Sequence, residues 1–291
     1  MKISISRKGV DSGSGKMASP ILPCGCLCSI PIPYENSDVR YSNIHFGTRT
    51  LQDIRDRLKP ESSDKRAHLD PDLSRDALFD RPKAWRPAFG QSGPAGGHLI
   101  NQGMCCGGLF IFFGWFRRTK ISDDGELEFD SDDPDGRHIV FGWLEVGDVV
   151  DKVPLRPEVS FLKSHPHIQF FKQEGGNNRI YVSSTTGLNA DLFPTEAESI
   201  VLTRNEKPRS QWLLDEAFES LIPELGVREL TYHGNKLRWK RASGKIELHT
   251  VSRGQEFVFD GDRHPRARDY FVRHIKRVMS KKPRHCSHNF Q

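Results

Sequence analysis

Two long apolar segments lie close together in the middle of the chain, and they constrain its fold more than any other feature. The first runs from Leu109 to Phe116 and the second from His138 to Val150. Both match the length of a buried β-strand better than that of a helix. An acidic stretch rich in Asp and Gly separates them, and we interpret it as a solvent-exposed hairpin loop. The sequence therefore predicts two central strands.

Weaker patterns predict the flanking elements. Ile3 and Ile5 alternate with serines, which indicates an opening strand, and residues 50–58 can form one short helix. Residues 168–171 and 179–183 are interpreted as a hairpin that turns at residues 175–177. A last helix is expected to begin at Pro265, because apolar residues recur there at helical spacing.

The segment after Ser210 is also interpreted as a helix. Ser210 would cap it, and Leu214, Ala217, Phe218 and Leu221 would form its apolar face. Short strands are expected between residues 230 and 259. The long polar, proline-rich run from Lys59 to Gly97 would be irregular, and such a segment inside a domain usually serves binding or catalysis, or is disordered.

Composition limits the class of protein. Hydrophobic residues make up 36% of the 291 residues and charged residues 28%, which is typical of a folded chain. The longest apolar stretch has eight residues, whereas a membrane-spanning helix needs about 20. We therefore expect a cytoplasmic protein without a membrane partner, in which the six cysteines are free thiols. The oligomeric state is left open.

The net charge of +5 is unevenly distributed. Residues from Asp262 onward contain nine Lys or Arg against two Asp. This basic tail is expected to contact phosphate groups of nucleic acid, and a solvated helix face is the open alternative. The residues predicted to contact the nucleic-acid backbone are Arg268, Arg273, Lys276, Arg277, Lys281 and Lys282.

A histidine and two aspartates, His68, Asp70 and Asp72, lie within five residues of one another in the long irregular segment. Such a trio can bind a divalent ion or serve general acid–base catalysis, although an Asp-Pro-Asp sequence also forms turns. We predict that the trio shares one pocket with His98 and that these four residues are catalytic.

Two other motifs are interpreted as structural. His165 and His167 are expected to point to opposite faces of an extended chain, as core or surface histidines. Cys24, Cys26 and Cys28 alternate, but no second cysteine pair with metal-ligand spacing follows them. No residue is therefore assigned as a metal ligand, and the cofactor is left unknown.

A third set of residues is typical of nucleotide binding. Amide side chains can read the edge of a base, aromatic rings can stack on its face, and a basic Gly-rich turn can hold phosphate. Amides also stabilise turns, and aromatic residues on strands are more often core. The residues predicted to bind the nucleotide are Arg7, Lys8, Asp11, Ser12, Gln91, Asn101, Gln102, Trp115, Arg117 and Trp143.

Several of these blocks together resemble the nucleotide-modification-associated domain family, type 3, over nearly the whole chain. The blocks are residues 6–12, 19–23, 31–33, 68–72, 89–91, 98–103, 112–117 and 254–258. The resemblance implies a link to modified nucleotides in bacterial or phage systems and no settled reaction. Cys24, Cys26 and Cys28 depart from the family's pattern, which argues against a family-wide thiolate metal site.

A looser resemblance covers only residues 107–151, whose two glycine-containing apolar strands are similar to EVE and related PUA-like barrels. Those modules bind RNA or flipped modified bases in an aromatic pocket. The resemblance implies that Trp115 and Trp143 stack on an extruded base. Alternation along two paired strands predicts that they flank one pocket, lined by Gln102 and Arg117.

The sequence thus predicts a single α+β domain over residues 1–291 that works on nucleotides or nucleic acid. Residues 107–183 would form central β-hairpins, in a curved sheet or PUA-like β-barrel with flanking helices, and residues 262–282 a basic C-terminal helix. We expect recognition or processing of a modified base. The alternative is an enzyme of nucleotide modification, a transferase or a metal-assisted enzyme, which uses His68, Asp70, Asp72 and His98. The sequence does not decide between an enzyme and a binding module.

Overall fold

The fold is known from a computed structural model, which describes residues 1–60, 65–172, 177–204, 207–223, 229–231, 237–250 and 256–281. The α-helices in this part of the chain are α1 (Leu51–Leu58), α2 (Gly93–Asn101) and α3 (Pro265–Met279). The 3-10 helices are Tyr41–Asn43, Arg75–Ala77, Pro157–Ser164, Pro166–Lys172, Glu196–Glu198 and Glu216–Leu221. No helix among the described residues is both long enough and apolar enough to cross a membrane.

Strands dominate the described part of the chain. They are β1 (Lys2–Arg7), β2 (Ser19–Ile21), β3 (Ile32–Pro33), β4 (His45–Phe46), β5 (Arg49–Thr50), β6 (Ala67–His68), β7 (Ala88–Gln91), β8 (Leu109–Ile121), β9 (Leu127–Phe129), β10 (Arg137–Val150), β11 (Arg179–Ser183), β12 (Ala190–Leu192), β13 (Ile200–Val201), β14 (Gln211–Asp215), β15 (Arg238–Ala242), β16 (Lys245–His249) and β17 (Glu256–Asp260).

One large mixed sheet forms the centre of the molecule. Its main strands follow the order β17-β1-β8-β10-β11-β7, and four short strands pair with β8 or β10 at its margins. The two central strands β8 and β10 are antiparallel, as predicted, with an irregularity in register between Val140 and Gly142. The opening strand β1 is also confirmed and runs parallel to β8.

The sheet is not closed into a barrel, because β17 and β7 end the path without pairing with each other. The α+β class and the central sheet are therefore confirmed, whereas the PUA-like barrel is not. Aromatic and aliphatic side chains of β8 and β10 are fully buried, among them Phe110, Phe112 and Trp143. The single domain over residues 1–291 stays a prediction.

Two predicted elements are wrong. The segment after Ser210 forms strand β14, which pairs with β16, and Asp215 caps the short 3-10 helix that follows. Residues 168–171 belong to the 3-10 helix Pro166–Lys172, and β11 pairs with β7 and β10 instead. Pairing to distant strands decides the structure of Gln211–Asp215 and the partners of β11, and local periodicity does not report such pairing. Of the expected turn at residues 175–177, positions 175 and 176 lie outside the described residues.

The predicted helices α1 and α3 are confirmed. The Thr50 side chain caps α1 by accepting a hydrogen bond from the Asp53 amide. Helix α3 begins at Pro265 and buries Ala267, Phe271 and Ile275. The segment expected to be irregular, from Lys59 to Gly97, contains β6, β7 and the start of α2, and it supplies part of the candidate site.

Candidate functional site

The candidate site is a buried group of four side chains, His68, Asp70, His165 and His167, called here the histidine–aspartate cluster. Their side chains are 12%, 4%, 4% and 5% exposed, respectively. Burial of so many titratable groups in one place is costly unless they satisfy one another or bind a ligand.

Strands β6 and β7 position the first half of the cluster. His68 ends β6, where it pairs with Ile32 of β3. Two residues later, Asp70 Oδ1 accepts a hydrogen bond of 2.7 Å from the backbone N–H of Gly90 in β7. The carboxylate is thereby fixed by a strand of the main sheet.

The second half of the cluster comes from the junction of two 3-10 helices. His165 Nε2 lies 3.5 Å from Asp70 Oδ1, and His167 Nε2 lies 3.5 Å from Asp70 Oδ2. His68 Nε2 lies 3.3 Å from His167 Nε2 and 3.8 Å from Asp70 Oδ2. Three histidines thus converge on one carboxylate.

Asn178 fixes the orientation of the His167 ring. Its side-chain amide donates to the backbone oxygen of His167 at 2.9 Å, so its Oδ1 faces His167 Nδ1, also at 2.9 Å. This oxygen can only accept, which places the proton of a neutral His167 on Nδ1 and leaves Nε2 with its lone pair directed at the cluster.

Gly90 is required for space at the same ring. A Cβ built on Gly90 overlaps the His167 imidazole. Any larger residue at position 90 would therefore displace His167 from the cluster.

The charge state of the cluster follows from its surroundings. Burial lowers the pKa of His68 to about 4, although Asp70 acts in the opposite direction. Burial alone would raise the pKa of Asp70, but its contacts with the His165 and His167 imidazoles outweigh burial and hold the pKa well below its usual range. At neutral pH the cluster therefore presents an ionised carboxylate beside a neutral His68.

Two aromatic rings and a charged network surround the cluster. The rings of Tyr34 and Phe170 lie 5.1 Å and 6.3 Å from that of His68. Nearby, Glu256 accepts hydrogen bonds from Lys8 at 2.7 Å and from Gln91 at 2.6 Å. Lys8 and Gln91, which the sequence analysis assigned to nucleotide binding, are thus engaged with a buried carboxylate.

The donor atoms of His68, Asp70 and His167 all lie within 4.8 Å of one another, and among the described residues they are the one group of this kind suited to a metal ion. Two imidazoles and a carboxylate form a donor set of transition-metal sites. This differs from the expectation that no residue is a metal ligand.

The other two predicted catalytic residues have separate partners. Asp72 forms a two-point ion pair with Arg81, at 2.6 Å and 2.7 Å, and burial raises its pKa. His98 Nε2 lies 3.0 Å from the hydroxyl of Thr231. The histidine that joins His68 and Asp70 in the group suited to a metal ion is therefore His167, and not His98 as the sequence predicts.

A cavity of about 790 Å³ shares a wall with the cluster. Residues 69–73, which include Asp70 and Asp72, form part of its lining. Phe46, Phe141 and Phe193 contribute aromatic surface on other sides. The volume lies in the range of pockets that hold small molecules of nucleotide size.

The expected aromatic pocket between Trp115 and Trp143 is not formed. Trp143 is 1% exposed, donates its indole N–H to the Leu188 carbonyl at 2.8 Å and packs edge-on against Phe193. Its ring is part of the core and has no free face for a base. Trp115 is partly exposed, but the guanidinium of Arg209 lies 3.7 Å from the centre of its ring.

The remaining predicted nucleotide contacts have mainly structural partners. Arg117 donates to the backbone oxygens of Asp130 and Asp133, and so holds the acidic hairpin. Arg7 forms an ion pair with Asp11, whose other oxygen accepts the backbone N–H groups of residues 13 and 14. Ser12 is exposed, Asn101 is the exposed end of α2, and Gln102 follows as its C-cap.

Some basic residues of the C-terminal region are engaged in ion pairs. Arg268 pairs with Asp262 and Asp269, and Lys281 with Glu198. Arg273, Lys276 and Arg277 lie exposed on α3. Lys282 lies outside the described residues.

The cysteines divide into different environments. Cys24 and Cys28 are free thiols, the first exposed and the second buried. Cys26 is disulfide-bonded, so the expectation that every thiol is free is wrong for this residue.

Sequence reasoning missed His165, His167 and Asn178. The assumption of an extended chain placed the two histidines on opposite faces, whereas the turn at Pro166 lets the His165 ring accept the His167 N–H at 3.2 Å. The sequence does contain one signal, the proline between the two histidines. Proline is common at the first position of a helical turn, and a turn that begins at Pro166 can bring both histidine rings to one side.

Comparison with known proteins identifies the family. No curated protein and no solved structure matches the chain. Residues 2–260 match the family model described as nucleotide modification associated domain 3. This stretch contains the whole histidine–aspartate cluster and every strand of the large sheet. The chain therefore belongs to the nucleotide modification associated domain 3 family.

Proposed function

We propose that this chain is an enzyme of nucleotide or nucleic-acid modification whose reaction centre is the histidine–aspartate cluster. The observation that carries the proposal is the convergence of His68 Nε2, His167 Nε2 and an Asp70 oxygen at separations of 3.3–3.8 Å. The groups come from two segments, one with His68 and Asp70 and the other with His167, which lies 99 positions after His68, and reactive sites depend on such convergence.

The substrate class follows from the family and the adjacent cavity. Membership in a nucleotide-modification-associated family supports involvement in nucleic-acid modification. The cavity of about 790 Å³ is large enough for a nucleotide, and its wall at Asp70 belongs to the cluster. We infer that a nucleotide, free or extruded from a strand, binds in this cavity.

The charge state of the cluster suits proton transfer. An ionised Asp70 and neutral imidazoles can take a proton from a bound hydroxyl, amine or water, or can instead hold a metal ion that activates that group. The low exposure of all four side chains excludes bulk water, which strengthens electrostatic interactions within the site.

The burial of Trp143 supports an enzyme more than a base-recognition module. A recognition pocket needs accessible aromatic faces, and the indole of Trp143 is 1% exposed. A packed tryptophan and a polar buried cluster are more consistent with chemistry at the cluster than with stacking on the central strands.

A nucleoside screen tests the proposal. Wild-type protein is incubated with divalent metals, common co-substrates and either nucleotides or DNA, and the recovered nucleosides are analysed by mass spectrometry. We expect a mass change that Asp70→Asn and His167→Gln abolish. The matched control is His274→Gln, which alters a histidine on α3 whose ring contacts the Tyr270 carbonyl.

The result of the nucleoside screen distinguishes an enzyme from a base-recognition module. A product that forms equally well in Asp70→Asn contradicts the proposal, because the reaction would then occur elsewhere. Tight binding of a modified nucleoside with no product under any condition would favour a recognition module.

A further inference from the structure

We propose that His68 Nε2, Asp70 Oδ2 and His167 Nε2 bind one divalent transition-metal ion. For its catalytic meaning this inference rests on the proposed function, whereas binding itself is tested without substrate. Sequence spacing does not indicate such a site, because the third ligand lies 99 positions from the first.

The separations of the three donor atoms fit a common ion. They are 3.3 Å between the two imidazole nitrogens, 3.5 Å from His167 to Asp70 and 3.8 Å from His68 to Asp70. A point about 2.1 Å from all three atoms exists close to their plane, and this matches the usual bond lengths of Zn²⁺ to imidazole and carboxylate.

The surroundings direct the lone pairs toward that point. Asn178 holds the proton of His167 on Nδ1, which leaves Nε2 free to coordinate. The Gly90 N–H occupies Asp70 Oδ1 at 2.7 Å, so that Oδ2 faces the two imidazoles. Outer partners of this kind are what fix metal ligands in proteins.

The cluster is also incompletely satisfied by its own hydrogen bonds. Two imidazole nitrogens 3.3 Å apart can share only one proton. A metal ion would satisfy both Nε2 atoms and the carboxylate oxygen at once, which a single proton does not.

The donor set selects the class of ion. Two nitrogens and one oxygen favour Zn²⁺, Fe²⁺, Co²⁺ or Mn²⁺ over Ca²⁺ and Mg²⁺, which prefer oxygen ligands alone. Three protein ligands leave at least one coordination position for water or substrate, as in catalytic rather than structural sites. The partly exposed rings of Tyr34 and Phe170 lie beside the two imidazoles.

Metal analysis of untagged protein tests the inference. After treatment with a chelator and dialysis, the protein is titrated with Zn²⁺ by calorimetry and with Co²⁺ by visible absorption. We expect one ion per chain and a Co²⁺ spectrum with nitrogen and oxygen ligands. Asp70→Asn and His167→Ala should weaken binding at least about 100-fold, since loss of an outer partner alone costs about 10–100-fold.

The controls keep the inference falsifiable. His274→Gln should bind metal like the wild type, and circular dichroism shows whether each variant folds. If His167→Ala does not fold, His68→Gln provides a second ligand variant. Binding that is absent, or equal in wild type and folded ligand variants, overturns the inference and leaves a hydrogen-bonded core cluster.

The two proposals fail separately. A metal-loaded cluster that modifies no nucleotide overturns the proposed function and leaves the metal site intact. Turnover that depends on Asp70 in protein free of metal overturns the metal site and leaves the proposed function.

Discussion

The Nε2 atoms of His68 and His167 lie 3.3 Å apart, although the two residues are separated by 99 positions in the sequence. Strand β6 supplies one ring, and the turn at Pro166 supplies the other. Asp70 lies beside both rings with its carboxylate fixed by the Gly90 N–H, so a strand of the main sheet sets the geometry of the cluster.

The first prediction concerns Asn178, which orients His167. Asn178→Ala removes the acceptor at His167 Nδ1 and should lower metal affinity about 10–100-fold, because the ring loses its fixed tautomer. Asn178→Asp keeps an acceptor oxygen for His167 Nδ1, although it loses the N–H donated to the His167 carbonyl, and should therefore retain more of the affinity than Asn178→Ala. Calorimetric titration of both variants checks this, and equal losses in the two would contradict the orienting role.

The second prediction concerns Gly90, where a Cβ would overlap the His167 ring. Gly90→Ala should destabilise the fold by about 1–3 kcal/mol, as overpacking does, and weaken metal binding as well. Gly13→Ala is the matched control and should change stability by less than about 0.5 kcal/mol, because its neighbour is an exposed Asp11 oxygen. Urea denaturation measures both, and an unaffected Gly90→Ala would mean that His167 can move freely.

The site shows how far sequence reasoning reaches. His68 and Asp70 can be recognised as site residues from the sequence, because they lie two positions apart in a long polar segment of the kind that usually serves binding or catalysis. His167 and Asn178 are not, because their approach depends on the pairing of β7 with β11 and on the turn at Pro166. An approach between residues about 100 positions apart leaves no local periodicity.

Some elements of the fold can also be predicted from the sequence, and others cannot. Strands β8 and β10 and helix α3 are predictable, since their apolar patterns are long and regular. Apolar residues after Ser210 recur at helical spacing, yet Gln211–Asp215 forms β14, because it pairs with strand β16. Whether the sheet closes into a barrel depends on the order of all its strands, and the apolar patterns of β8 and β10 alone do not predict that order.

A third prediction follows from the buried His138, which accepts the indole N–H of Trp212. Burial, and then the charges of Arg7 and Arg209, lower its pKa well below the usual value, so the folded protein holds it neutral. The unfolded chain binds a proton there near pH 6.5, and stability should therefore fall as the pH drops below about 6.5, by up to about 1.4 kcal/mol per pH unit.

Urea denaturation at several pH values tests this dependence. His138→Gln keeps an acceptor for Trp212, and its stability should fall less steeply with decreasing pH than that of the wild type. Identical pH dependence of the two proteins would show that His138 titrates normally when folded.

A fourth prediction concerns nucleic-acid binding by helix α3. Arg273, Lys276 and Arg277 are exposed, and substitution of all three by Gln should flatten the salt dependence of DNA or RNA binding, by about 0.9 in log–log slope for each phosphate that is no longer neutralised. Arg266→Gln, at a residue paired with Glu216, should change the slope less. Binding that is insensitive to salt would leave α3 as a solvated surface helix.

A nucleotide bound beside the histidine–aspartate cluster would lie close to a metal ion held there, and paramagnetic relaxation detects this proximity. Protein loaded with Mn²⁺ is mixed with nucleoside monophosphates, and the relaxation of their base and sugar protons is measured by NMR. We expect strong enhancement in the wild type, which disappears in His167→Ala and persists in His274→Gln. A nucleotide that binds while its relaxation stays unchanged, with Mn²⁺ held in the cluster, would contradict this expectation.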